Sequence, residues 1–349
     1  MTYYDILRTL CEVMTVSGNE QNAMETIQAH FSDDFDSITR DNARNILLTK
    51  KSTHDNVPHI LLDAHLDQVG MIVTTVTDDG FCTVLPIGGL DRQILPGARL
   101  LLYGKTRTIP AYVAAYPNDC GFPDGVPAMD ALRLDTGYTK AQLTEMGIGV
   151  GSFVRYDATI MELLHRRIIG CGFDDKACCA GLLCAVLDTK PEQLCFDVTV
   201  CLSAGEEIGA AAANCAAYAI EPDLAIVTDV NFAETPGMAK TESSPIGDGP
   251  MTSLSAVTDR ALTRRILALA GEKEIPLNPV VEATSTGTNA NALIFCAAGI
   301  PTAVVSIPLG CMHSYSEYLS LDDGETFAEL IGAILTDAQL AETFGKERV

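Results

Sequence analysis

Two histidines and several carboxylates stand in this chain where metal chemistry would need them. His65 and Asp67 follow the apolar run HILLDA, Glu206 and Glu207 follow FDVTVCLSAG, Asp229 ends DLAIVT, and His313 lies just beyond AVVSIPLG. Asp174 and Asp175 form an adjacent pair at the entrance of a helical run that begins near Ala177. Taken singly these signals are weak: H-x-D recurs by chance, an isolated Glu-Glu is usually a surface pair, and Asp-Asp ahead of a helix is more often a cap. Together they match what a pair of divalent ions requires, imidazole and carboxylate ligands with one carboxylate bridging. The absence of thiolates from the set favours zinc, cobalt or manganese in a catalytic site over a structural zinc.

For these residues to meet, the apolar runs that precede them must be neighbouring strands, because open parallel sheets bind ligands at the carboxyl ends of their strands. Ile6, Leu7, Leu10, Val13 and Met14 have helical spacing, and a second helix is expected after Ser17 or Asn19. Runs at 46–49 and 59–64 are short, apolar and bounded by turn residues, as buried strands are. From 70 to 160 the reading changes to β-type runs at 71–76, 81–85, 99–103 and 109–116, with glycines and prolines between them and one helix near 141–146. Beyond Arg167 helix and strand patterns alternate: helix 177–187, strand 196–203, helix 210–218, strand 224–228, helix 260–271, strand 280–283, helix 291–298, strand 302–307 and a last helix from Gly324. Such alternation predicts an α/β fold with a mixed, mostly parallel sheet flanked by helices. The expected organisation is a discontinuous main domain, 1–69 with 161–349, and an inserted β-rich domain over 70–160.

Composition bounds the rest. A chain of 349 residues with 47% hydrophobic and 20% charged residues can build a large core and a second, smaller unit. The net charge of −23 and pI near 4.5 argue against a nucleic-acid partner, since that binding needs Lys and Arg to neutralise phosphates. The twelve cysteines are scattered, many of them through apolar stretches, and form no C-x-x-C pair, which reads as free thiols in a reducing compartment. MTYYDILRTL lacks the features of a signal peptide, and no apolar run is long and unbroken enough to span a bilayer, so a cytoplasmic protein without a membrane partner is expected.

The residues resemble the M42 metallo-aminopeptidases, relatives of glutamyl aminopeptidase that include tetrahedral multi-subunit peptidases. The resemblance runs through SGNE at 17–20, DAHLDQVG at 63–70, GG-x-D at 88–91, LPG at 95–97, GIGVG at 147–151, GFDDK at 172–176, GEEIG at 205–209, TDV and ETPG within 228–237, and IPLGCMHS with Glu317. It implies a zinc-peptidase type of sheet and two bound divalent ions, zinc first, with cobalt or manganese as alternatives. It also implies peptide substrates and a homo-oligomer, a dimer or dodecamer, assembled through the β-rich unit. By the same match Asp174 is the bridging carboxylate, His65 and Asp229 hold one metal, and Glu207 and His313 hold the other. Asp67 would orient His65, and Glu206 would be the general base that moves a proton from water to the leaving amine.

The long interval from His65 to Asp174 leaves room for the inserted domain there, whereas related carboxypeptidases and deacylases carry theirs between the positions of Asp229 and His313. A deacylase or carboxypeptidase, and a scaffold that retains the fold without activity, remain the alternatives. Two departures bear on specificity: TGTNA at 286–290 puts Asn289 where the family has an acid, and Gly310 and Cys311 replace an arginine and an aromatic residue. Both are expected to face the substrate, with Gly310 opening space and disfavouring acidic N-terminal residues.

Overall fold

The computed structural model describes residues 1–114, 128–157, 159–209, 212–235, 237 and 241–345. An eight-stranded mixed sheet forms its centre, in the order Ser37–Arg40, Ile46–Lys50, Asp197–Ser203, His59–His65, Leu224–Phe232, Thr302–Leu309, Met251–Ser255, Asn278–Glu282. The four strands from Asp197–Ser203 to Thr302–Leu309 run parallel, so their carboxyl ends share one edge. Register pairs Ser203 with His65 and Val227 with Asp63, which sets Asp229 level with His65.

Alternate residues of each strand face opposite sides, and each side has its own cover. Ile60, Leu62 and Ala64 pack with helices Tyr3–Glu12, Phe173–Asp188 and Leu321–Leu335, while Leu61, Cys201, Ala225 and Val227 pack with Ala212–Ile220 and Ala290–Leu293. Phe173–Asp188 is buried around nearly its whole circumference, which fits a sequence whose only charged residues are Asp174, Asp175, Lys176 and Asp188. Tyr3–Glu12 begins at a capping box in which Thr2 and Asp5 satisfy each other's backbone amides.

Strands Gly70–Val76, Cys82–Ile87, Leu134–Asp135, Thr108–Val113, Arg99–Tyr103 and Phe153–Tyr156 close into a barrel. Met71, Val73, Val84, Leu100, Leu102, Ile109 and Val154 fill it, the period-two positions of those runs. A three-stranded sheet, Met161–Glu162, Arg167–Gly170 and Glu317–Ser320, joins the chain leaving the barrel to the segment after His313.

The expected α/β architecture with a large mixed sheet is present. Strand Ser37–Arg40 and strand Met251–Ser255 escaped the periodicity, and the helix expected over 291–298 is one turn, Ala290–Leu293. The expected strand 109–116 and helix 210–218 extend onto 115–116 and 210–211, which lie outside the described residues. Among the described residues no helix is long and apolar enough to cross a membrane, and Cys11, Cys82, Cys171, Cys178, Cys179 and Cys201 are buried thiols outside any disulfide.

Candidate metal centre and active site

Four of the expected ligands come from the carboxyl ends of the parallel strands or the turns that follow them, and Asp174 comes from the start of the buried helix. The structure brings all of them together. Asp174 points one carboxylate oxygen at each imidazole: Oδ1 lies 3.0 Å from His65 Nε2 and Oδ2 lies 3.2 Å from His313 Nε2. Asp229 Oδ1 lies 3.5 Å from His65 Nε2, and Glu207 Oε2 lies 3.3 Å from His313 Nε2. Asp175, joined to Asp174 by a cis peptide bond, is buried beside His65 and Asp229 with both carboxylate oxygens unpartnered.

The tautomers follow from the opposite ring nitrogens. His65 Nδ1 lies 3.0 Å from the carbonyl of Asp67, and His313 Nδ1 lies 3.0 Å from the carbonyl of Gly89. A carbonyl only accepts, so each Nδ1 carries the proton, and in a neutral ring Nε2 is then a lone pair facing carboxylate oxygens. Acceptors facing acceptors require a cation between them. The carboxylates favour positive charge at this point: burial works against a charged imidazole, yet Asp229, Asp174 and Asp67 raise His65 well above its ordinary value. Burial is likewise outweighed at His313, which Asp174 and Glu207 lift to about 9. Glu207 is pushed up to about 9, first by burial and then by Asp174, and its Oε1 is buried without a partner. Burial also raises Asp229 to about 6. Orphaned carboxylate oxygens, an excess of acidic groups and lone pairs aimed inward fit divalent cations better than a set of neutral partners.

Asp67 acts through two groups. Its carbonyl meets His65 Nδ1, while its carboxylate lies 3.6 Å from that nitrogen and is spent elsewhere. Oδ2 accepts from Ser17 Oγ at 2.5 Å and from the Glu207 amide at 3.3 Å, and Oδ1 accepts from the Glu206 amide at 3.0 Å. Burial opposes its charge, but the nearby His65 imidazole and the bonds from Ser17 and the Glu206 amide keep the carboxyl below its usual range. Asp67 therefore also anchors the turn Glu206–Ile208, which Gly205 enters at φ +67°, a conformation that favours glycine. Glu206 is half-buried, and burial lifts its carboxyl to about 7, where it exchanges protons readily.

Glu317 is a site residue whose role is not legible in the sequence. Its buried carboxylate accepts from the Phe173 amide at 2.7 Å and the His313 amide at 2.9 Å, joining the segments that present Asp174 and His313. Burial, followed by the charge of Asp174, raises it to about 8. His313 sits at φ +62°, uncommon for a residue with a side chain, and the bond to Glu317 helps hold it there. In the sequence Glu317 closes the IPLGCMHS match, four residues after the histidine, with nothing to mark its task.

The two departures lie elsewhere than expected. Asn289 is 2% exposed, and its amide donates to Asp63 Oδ2 at 2.8 Å and to Ser203 Oγ at 3.0 Å, so it supports the sheet and does not face a substrate. At Gly310 a Cβ would fall 2.1 Å from the Tyr318 ring, so the ring fills the space that the glycine was expected to open. Lys176, the last residue of the GFDDK motif, is fully buried and donates to Gln68 Oε1, so it does not reach the site as a free cation.

A mixed sheet that gathers imidazoles and carboxylates at the ends of its parallel strands, with a barrel against that edge, defines the class of proteins to which this chain is similar: aminopeptidases. An aminopeptidase from Desulfurococcus kamchatkensis superposes with a TM-score of 0.91 at 25% identity, over 99% of this chain and 98% of that one. The lysyl aminopeptidase of Pyrococcus furiosus is 26% identical over 97% of this chain and 98% of its own length. The Pyrococcus horikoshii TET1 peptidase, which can assemble into a tetrahedron or a large octahedral shell, has the same fold, with a TM-score of 0.83 at 23% identity over 96% of this chain and 100% of that one. The model of the M42 glutamyl aminopeptidase family matches residues 44–330. The chain belongs to that family and is a hydrolase of the aminopeptidase class.

Proposed function

We propose that this chain removes the N-terminal residue from peptides with the help of two divalent cations, zinc first and cobalt or manganese as alternatives. His65 and Asp229 would hold one cation, Glu207 and His313 the other, and Asp174 would bridge them. The observation that carries the reading is the pair of Nε2 atoms, each facing carboxylates while its Nδ1 is satisfied by a carbonyl. Bound there, the cations supply Lewis acidity to the scissile carbonyl and lower the pKa of the attacking water. Asp67 fixes the His65 ring through its carbonyl and, through its carboxylate, the turn that presents Glu206. Glu206 takes the proton of the attacking water and passes it to the leaving amine, a task suited to a carboxyl lifted to about 7.

Residues 1–69 with 161–349 form the catalytic domain in this reading, and 70–160 is an inserted unit through which the chain self-associates. The separate core of the barrel supports the division, and the assembling TET1 peptidase supports the association. A cytoplasmic site of action is part of the same reading, supported by the buried thiols of Cys11, Cys82, Cys171, Cys178, Cys179 and Cys201, which form no disulfide.

Removal of metal by a chelator should abolish hydrolysis of aminoacyl anilides, and zinc, cobalt or manganese should restore it. Full turnover by metal-free protein would refute the mechanism. Hydrolysis of N-blocked but not free-amine peptides would assign a deacylase or carboxypeptidase instead, and inertness toward every substrate with two metals bound would assign a scaffold.

A further inference from the structure

The two imidazoles are oriented by different parts of the molecule. His65 takes its carbonyl from Asp67, two residues along the same chain segment. His313 takes its carbonyl from Gly89, in the turn that follows barrel strand Cys82–Ile87. That turn fits against the site only because it is bare. A Cβ on Gly89 would lie 3.1 Å from His313 Nδ1 and 3.3 Å from its Cε1. A Cβ on Gly88, at φ +78°, would lie 3.4 Å from Glu207 Oε2 and 2.8 Å from a methyl of Val69. Both glycines thus abut the two side chains assigned to one cation, Glu207 and His313.

We infer that the Gly88–Gly89 turn is a positioning element of the Glu207–His313 cation position. The Gly89 carbonyl holds Nδ1–H and thereby aims the Nε2 lone pair, and the missing side chains let barrel backbone touch the imidazole and the carboxylate. This inference rests on the dinuclear reading above. Its consequence is an asymmetry between the two positions. Asp174, Asp229 and His65 are buried and belong to the sheet and its central helix, so their geometry is fixed by the core. The His313 side chain is 31% exposed and is aimed from the barrel, so the second position depends on how the barrel sits. Ligands held by neighbouring hydrogen bonds lose on the order of ten- to a hundredfold in metal affinity when those bonds are removed.

Calorimetric titration of metal-free, full-length protein with zinc tests this. Wild type should take up two cations per chain. Gly89→Ala, which crowds the ring by a few tenths of an ångström, should take up one with unchanged affinity and the second at least tenfold more weakly. Gly149→Ala, in the turn before barrel strand Phe153–Tyr156 and with nothing within 4 Å of its would-be Cβ, should match wild type. An unchanged two-site isotherm for Gly89→Ala, or equal weakening of both sites, overturns the inference. A wild type that fails to bind two cations instead refutes the dinuclear reading beneath it. If Gly89→Ala does not fold, the wild-type protein decides: histidine-selective ¹⁵N spectra of zinc-loaded protein should show His313 protonated at Nδ1, and a proton on Nε2 overturns the inference.

Discussion

At the scale of single residues, Glu206 and Glu207 are neighbours with different surroundings. Glu207 is directed at His313 and its Oε1 has no partner, whereas Glu206 is half-buried and absent from both ligand clusters. Glu206→Gln keeps the shape and removes the proton carrier, so kcat should fall by about 10² to 10⁴ with metal content unchanged. Loss of metal in that variant, measured by elemental analysis, would show that the two glutamates have exchanged roles. The set His65, Asp174, Glu206, Glu207, Asp229 and His313 was legible because each follows an apolar run or opens a buried helix. The Gly89 carbonyl was not, because every residue has one and only the fold selects it. The role of Glu317, a residue of the motif match, was illegible for a related reason: its partners are backbone amides, which leave no mark in a sequence.

At the scale of elements, the parallel strands were legible because each is a continuous apolar run, as strands buried on both faces are. Ser37–Arg40 lies at an open edge with mostly exposed side chains and so lacked that signal. Asn289 shows what an element boundary hides: it precedes the one-turn helix Ala290–Leu293, yet its amide reaches the central strand at Asp63. Burial raises Asp63 to about 6, against which the bonds from Asn289 and Ser203 work. A folded pKa above the unfolded one means that this group's contribution to stability is fully present below about pH 4 and is lost as pH rises through about 6. Asn289→Asp would set a second carboxylate against the first and should destabilise the fold by on the order of 3 kcal/mol at pH 8. The loss should be smaller at pH 5, where protons relieve the repulsion. Asp63→Asn should have the opposite signature, a Tm that varies less between pH 4 and 7 than that of wild type. Equal Tm values for Asn289→Asp and wild type at pH 8 would show that the pair carries no such strain.

At the scale of the whole molecule, the β-rich stretch was legible as β structure with glycines and prolines between its runs, but not as a closed barrel, because closure depends on pairings between distant strands. If that barrel mediates assembly, light scattering should give a mass well above the 37.2 kDa of one chain at micromolar concentration, and a monomer would remove the idea. Specificity is also a whole-molecule matter once Gly310 is seen to be filled by Tyr318. What remains is the net charge of −23, which repels an acidic substrate on approach and at the mouth of a site already rich in carboxylates. Neutral leucyl and alanyl anilides should therefore exceed the glutamyl substrate in kcat/KM. Because salt near physiological strength screens exposed charges beyond about 8 Å, raising ionic strength should narrow that ratio through the glutamyl value, with the leucyl value nearly constant. A ratio independent of salt would assign the discrimination to contacts inside the pocket, and a clear preference for the glutamyl substrate would refute the charge argument altogether.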